Sequence, residues 1–209
     1  MRHSPVNSEK LKEECNINTR RIILASGSPR RKSLLESIGI EFTVYRPDTD
    51  ESRFPNESPE NYCMRLARSK AFAGAEHFPD SLIIAADTIV VIDGEILGKP
   101  HDRPDAVRML KALQGREHEV ITGLAVVSGE REQVHAEHSA VRFRALNDSE
   151  ISAYVETGEC DDKAGAYAVQ GLGSLIVEGI NGDYYNVVGL PLCALGGMLR
   201  AERIDLIAR

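Results

Sequence analysis
The chain of 209 residues contains no tryptophan, and its aromatic content is 5%. A protein that holds single-stranded nucleic acid by stacking bases on rings needs more than this. Nor is there an excess of basic residues. The 25 Lys and Arg stand against 32 Asp and Glu, a formal net charge of −7. Proteins that grip the phosphodiester backbone are as a rule basic, so no nucleic-acid partner is expected. The four cysteines, Cys15, Cys63, Cys160 and Cys193, are scattered without a CxxC pair, which speaks against a zinc site or a redox motif. No apolar run is long enough to span a bilayer, and the opening "MRHSPVNSEKLKEECNINTRR" lacks the apolar core of a secretory signal. A cytoplasmic chain with no membrane partner is the expectation. Two nucleotide signatures are missing as well. "GSPRRKS" does not have Walker A spacing, and "GAYAVQGLG" is not a GxGxxG and precedes a strand instead of following one.

What is present is an ordinary globular composition, 42% hydrophobic and 27% charged, in an alternating pattern of elements. Residues 1–19 are polar and aperiodic and are expected to form a flexible extension, leaving 20–209 as one domain. "RIILAS" reads as a short buried strand. Ser28 and Pro29 then suit the N-cap and first position of a helix that Gly39 ends. "IEFTVYRP" alternates like a strand. Ser58-Pro59 opens a second helix, to about Ala73. "SLIIAADTIVVIDGEIL" reads as two strands around Asp87-Thr88, with a hairpin dipeptide at Asp93-Gly94. A helix from Pro104 to Gly115, two strands, and a helix with an Asn147…Glu150 capping box follow. "SLIVEGINGDYYNVVGL" reads as a hairpin about Asn181-Gly182, before a last helix. Helices interspersed with single strands and hairpins predict an α/β fold with a mixed twisted sheet.

Several residues do not suit their surroundings. Three cations, Arg30, Arg31 and Lys32, stand at the start of a helix, which is its positive end. An anion lying against that end would reverse the local field. Asp87 interrupts an apolar run, where a carboxylate is costly unless paired. It is either a turn residue or a group facing a cleft. Lys70 shares a helical face with Cys63, Leu66, Ala67 and Ala73, so it either snorkels or points into a polar cleft. Lys99, in a Gly-Lys-Pro turn, reads by itself as an exposed lysine. Glu51 ends the acidic run "DTDE", which is either solvated or able to share Mg²⁺ with phosphates. Gln170 is the one amide in "DDKAGAYAVQGLGSLIVE", whose small residues suit a tight turn or a close ligand. Cations beside a helix N-terminus suit a polyphosphate, and carboxylates with Mg²⁺ suit hydrolysis of one of its bonds.

"LASGSPRRKSLLESIGIEF", "YCMRLARSKA", "IIAADTIVVIDGEILGKP" and "DKAGAYAVQGLG…INGDYYNVVGLPL" resemble the Maf family of nucleotide pyrophosphatases over about Arg21 to Leu199. The resemblance implies two lobes around a deep cleft, similar to inosine-triphosphate pyrophosphatases. It implies hydrolysis of a nucleoside triphosphate to monophosphate and pyrophosphate, with Mg²⁺ (or Mn²⁺) as cofactor. "SPRR", "ADT" and "AVQGLG" are similar to the dTTP/UTP branch rather than the 7-methyl-GTP branch. By this match Asp87 is the general base and, with Glu51, a metal ligand. Arg30, Thr88 and Gln170 select the substrate. Ser26, Arg31, Lys70 and Lys99 line the substrate site. A homodimer is also implied. A nucleotide-binding regulator of division without turnover stays open as a second class, although both Asp87 and Glu51 are present.

Overall fold
A computed structural model describes residues 20–207. The expected extension over 1–19 therefore lies outside the described residues. The strands are β1 (Ile22–Ala25), β2 (Thr43–Tyr45), β3 (Leu82–Ile92), β4 (Glu95–Leu97), β5 (Glu117–Ser128), β6 (Arg131–Phe143) and β7 (Val177–Gly182). The α-helices are α1 (Pro29–Ser37), α2 (Pro59–His77), α3 (Arg103–Leu113), α4 (Asp148–Glu156), α5 (Tyr184–Val188) and α6 (Leu192–Ala201). The seven strands form one sheet in the order β2-β1-β3-β5-β6-β7, with β4 paired to β3. β1 runs parallel to β2 and β3, and every other pairing is antiparallel. The sheet is mixed, as the interspersed elements predict.

β3 organises the molecule. Its side chains alternate between the two faces of the sheet. On one face, Leu82, Ile84 and Ala86 pack with Leu35 of α1 and Leu195 and Leu199 of α6. Further along the same face, Val90 and Ile92 join a separate core with Met109 and Leu110 of α3 and Ile151 and Val155 of α4. On the other face, Ile83 and Ala85 pack against Ala67 and Ala71 of α2, and Ile89 and Val91 against Cys63. One strand thus serves two lobes. Burying each large apolar side chain contributes about 1.5–3 kcal/mol, so this shared strand ties the lobes together strongly.

Most helix ends follow local chemistry. Ser58 accepts a hydrogen bond from the Asn61 amide at 3.2 Å, and Pro59 fills the first helical position. Asn147 and Glu150 form a reciprocal capping box. Asp93 and Gly94 both have positive φ, 52° and 79°, as a two-residue hairpin turn requires.

Three expectations are corrected. Asp87-Thr88 does not divide two strands, because β3 runs unbroken through it against β5 from Leu82↔Ser128 to Val91↔Glu119. The second helix continues past Ala73 to His77, with Gly74 buried inside it. Asn181-Gly182 is not a hairpin tip. It ends β7, and Asp183 instead caps α5 by accepting from the Tyr185 amide at 2.7 Å. A turn dipeptide and a helix start share the same residues, and here the cap prevails.

Candidate active site
The edge of β3 away from β5 is shared by two short neighbours. β1 pairs with Leu82–Ile84, and β4 pairs with Val90–Ile92. Between them, residues 85–89 have no strand beside them. The chain leaving β1 turns through Ser26-Gly27-Ser28 into α1 at this gap. A cleft of about 560 Å³ opens there, and the nine residues to which the family resemblance gives a role line it: Ser26, Arg30, Arg31, Glu51, Lys70, Asp87, Thr88, Lys99 and Gln170. Asp87 and Thr88 are the only residues of β3 that are partly exposed, and Ile89 and Val90 beside them also line the cleft.

Strand alternation sends these two side chains to opposite faces of the sheet. On the α2 face, the Lys70 ammonium donates to Asp87 Oδ1 at 2.6 Å and contacts Glu51 Oε1 at 2.7 Å. Both Lys70 and Asp87 are 13% exposed, so the pair is largely shielded from water. Lys70 therefore takes the cleft-facing alternative, not the snorkelling one. Tyr62 donates to the Glu51 carbonyl at 2.8 Å and so holds the acidic loop. Burial pushes the Glu51 carboxyl up, but the Lys70 hydrogen bond and the charges of Lys70, Lys99 and Arg31 outweigh it. The net shift is downward.

On the opposite face, the Arg31 guanidinium has three protein partners. Nε donates to the Gly189 carbonyl at 2.8 Å, Nη1 to Ser26 Oγ at 3.1 Å and Nη2 to Thr88 Oγ1 at 3.0 Å. Burial is the main influence on its pKa and lowers it, with Asp87 acting in the opposite direction. Gly189 has φ of 118°, and a Cβ there would lie 3.3 Å from Thr88 Oγ1, so glycine gives both the turn and the close approach. Thr88 bonds Thr122 Oγ1 at 2.9 Å, and Thr122 donates to the Asn186 carbonyl at 3.1 Å. The Asn186 amide in turn donates to the Val120 carbonyl at 3.0 Å and Ser139 Oγ at 2.9 Å. Thr122 and Asn186 have no exposure at all.

The remaining residues lie nearer the rim. Arg30 pairs with Asp162 at 3.4 Å, and Lys163 also contacts Asp162. Lys99 is exposed and has no hydrogen-bond or ion-pair partner among the described residues, which leaves its charge for a ligand. Gln170 is likewise exposed and unbonded. Lys32 lies outside the cleft lining and pairs with Glu36 one turn on, at 3.6 Å. The three cations of α1 thus separate: Arg31 inward, Arg30 to the rim, Lys32 to the surface.

Residues that no local signal marked complete the site. Gly123 stands across from Asp87 on β5, and a Cβ there would lie 2.3 Å from the Cys63 carbonyl oxygen. Only glycine lets α2 lie this close to the sheet, and that approach brings Lys70 to Asp87. The small polar break "TG" in "EVITGLAVVS" is the trace this leaves in the sequence. Asn186 carried no marker, since one amide in a tyrosine- and valine-rich stretch looks like a loop residue. Among the described residues, no group of three or more His, Cys, Asp or Glu side chains is placed to hold a metal. Asp87 and Glu51 are a pair.

The chain is similar to several known proteins. The dTTP/UTP pyrophosphatase of Caldanaerobacter subterraneus subsp. tengcongensis is 52% identical over 185 residues, 87% of this chain and 89% of that one. The dTTP/UTP pyrophosphatase of Geobacter metallireducens is 53% identical over 182 residues, 86% and 95% of the two chains. A solved structure, that of the Staphylococcus aureus Ham1 protein, matches with a TM-score of 0.46 and 14% identity over 59% of this chain and 72% of that one. A family model described as Maf-like protein matches residues 21–202, which takes in every strand, every helix and the whole cleft. With nearly the entire described chain inside that match, the protein belongs to the Maf family.

Proposed function
We infer that this chain is a nucleoside triphosphate pyrophosphatase that hydrolyses dTTP and UTP to the monophosphate and pyrophosphate. The observation that carries the reading is the gap in the sheet. There the cations Arg31, Lys70 and Lys99 and the carboxylates Asp87 and Glu51 line a single cleft beside a helix N-terminus. The name shared by relatives at about half identity supports the pyrimidine preference.

Asp87 is assigned the role of general base. Its carboxylate takes a proton as the oxygen of a water molecule bonds to the α-phosphorus, the bond to the bridging oxygen breaks, and pyrophosphate departs. Lys70 keeps that carboxylate oriented. Arg31 and Lys99 neutralise the triphosphate, and positioning with charge stabilisation supplies most of the acceleration in such transfers. Arg30, Thr88 and Gln170 select the substrate, and Ser26 holds Arg31.

Asp87 and Glu51 are the groups that would hold a divalent cation, Mg²⁺ or Mn²⁺. The donor set fits. Two hard carboxylates converge on one positive centre, the Lys70 ammonium, each through a single oxygen. Magnesium characteristically takes one or two protein carboxylates and completes its shell with water and phosphate. When bound, the cation neutralises charge on the phosphate oxygens.

Residues 20–209 act as one domain in this reading, supported by the strand that serves both lobes. Among the described residues no helix is long and apolar enough to cross a membrane. A homodimer in the cytoplasm is carried over from the family. The test is pyrophosphate release from dTTP, UTP, CTP, GTP and 7-methyl-GTP with Mg²⁺ or Mn²⁺. Release is expected to be fastest with dTTP and UTP. Release from none would favour the regulator, and preference for 7-methyl-GTP would move the chain to the other branch.

A further inference from the structure
Gln170 opens a Gly-Leu-Gly turn whose glycines face the protein, not the cleft. Gly171 has φ of 64°, and a Cβ on it would lie 2.5 Å from Glu159 Oε2. A Cβ on Gly173 would lie 1.9 Å from the Ala168 carbonyl oxygen and 3.0 Å from the Tyr154 hydroxyl. Both positions are glycine to make room for a carboxylate, a carbonyl and a phenol.

Those side chains hold the turn from both ends. Glu159 Oε2 accepts from the Leu172 amide at 3.0 Å, and Oε1 accepts from the Gly173 amide at 2.9 Å. Tyr154 donates to the same Oε1 at 3.0 Å and accepts from the Ala168 amide at 3.1 Å. Three backbone amides that bracket Gln170 are therefore anchored by two side chains, one in α4 and one just after it. Neither anchor lines the cleft, whereas Gln170 does. A carboxylate suits this work because it only accepts, through two oxygens, and its charged bonds are about twice as strong as neutral ones.

We propose that Glu159 and Tyr154 are positioning residues for substrate selection, holding the Gln170 amide where it meets the donor and acceptor edge of a pyrimidine base. The proposal rests on Gln170 being a base reader. Glutamine at position 159 would replace one acceptor oxygen with an NH₂ group that cannot accept from a backbone amide. Phenylalanine at position 154 would leave the Ala168 amide, in a buried segment, without its partner.

The experiment compares dTTP and GTP hydrolysis, at saturation and below it, in wild type and in Glu159→Gln, Tyr154→Phe and Gln170→Ala. Thermal melting serves as the control for folding. In the two anchor variants KM for dTTP is expected to rise by about tenfold, the scale of one lost hydrogen bond to a charged group. kcat should fall less, and the dTTP:GTP ratio of kcat/KM should drop. A ratio that shifts in Gln170→Ala but stays put in both folded anchor variants overturns this proposal alone. A ratio unchanged in Gln170→Ala removes the base reader and this inference with it. Hydrogen exchange in the wild type gives a measurement that needs no variant. The Ala168, Leu172 and Gly173 amides should exchange slowly, and rapid exchange at all three would also overturn the proposal.

Discussion
The two walls of the cleft are built by different means. The cationic wall belongs to regular elements: Arg31 on α1, Lys70 on α2, Asp87 and Thr88 on β3. Its side chains are shielded, hold one another, and connect through Thr122 and Asn186 into the centre of the sheet. The wall that carries Gln170 is a loop. Its order comes from backbone amides bonded to Glu159 and Tyr154, and Gln170 itself is unbonded. The difference follows from the task. Neutralising phosphate charge needs several groups at set distances, which a sheet and its helices supply. On the proposed reading, telling one base from another adds to Arg30 and Thr88 an adjustable edge, Gln170, which a braced loop supplies.

The largest effect should come from breaking the cationic wall at its reacting group. Asp87→Asn keeps shape and one acceptor oxygen and leaves Lys70 paired to Glu51. Turnover of dTTP should fall by about 10²-fold or more, the usual contribution of a general base, while nucleotide binding followed by calorimetry persists. Near-normal turnover would sink the base assignment.

Next comes the packing that delivers Lys70. Gly123→Ala places a methyl group 2.3 Å from the Cys63 carbonyl oxygen, so α2 or β5 must move. A stability loss of about 1–3 kcal/mol is expected in chemical denaturation. Activity should fall further than that figure suggests, since a shift of about 1 Å in a positioning group can cost 10²-fold. A variant with native stability and native turnover would show that the close approach does not matter.

A smaller effect should follow from the buried end of the network. Thr122→Val keeps the volume but removes the hydroxyl between Thr88 and the Asn186 carbonyl. Stability should drop by about 1–3 kcal/mol, the cost of stranding buried polar groups. KM for dTTP should rise severalfold as Thr88 and Arg31 loosen, and Thr122→Ser should restore both. A rise in KM that serine does not reverse would place the effect in packing rather than in the hydroxyl.

How much of this was legible follows the same division. The cationic wall showed itself because charge is conspicuous in apolar surroundings: Asp87 within β3 and Lys70 on the buried face of α2 stand out by period alone. Their pairing did not show, because it depends on Gly123, 36 residues beyond Asp87 and visible only once β3 and β5 are in register. Thr122 and Asn186 were silent for a related reason. Short polar residues that donate to backbone carbonyls leave no mark in a hydropathy pattern. On the loop side Gln170 was legible as the one amide, while its glycines allowed two readings, a tight turn or a close ligand. The structure decides for the turn, since what crowds them is Glu159 and Ala168. Glu159 itself looked like any acid after a helix. The reading of "INGDYYN" as a hairpin failed because a local turn signal competed with the Asp183 cap, and only the pairing of β7 with β6 decides between them.

The smallest effect at neutral pH should come from the support beneath the loop-side wall. Tyr167 lines the cleft, and its hydroxyl lies 2.8 Å from His118 Nε2, with the His118 ring edge-on to Phe143. Among the described residues, Nδ1 of His118 is buried without a partner. Desolvation by burial depresses its pKa from 6.5 to about 4. The imidazole is therefore neutral when folded and takes up a proton more readily when unfolded. Its contribution to stability is complete above about pH 6.5 and is lost as pH falls toward 4. At about pH 5.5 the loss should be on the order of 1 kcal/mol relative to pH 8. Glutamine at this position can still bond the Tyr167 hydroxyl but does not titrate. His118→Gln should thus show a shallower fall in denaturation free energy between pH 6.5 and 4 than the wild type, with the dTTP:GTP ratio at pH 8 little changed. Parallel profiles for the two proteins would mean that the histidine titrates alike in the folded and unfolded chain, and that its burial beneath Tyr167 does not hold it neutral.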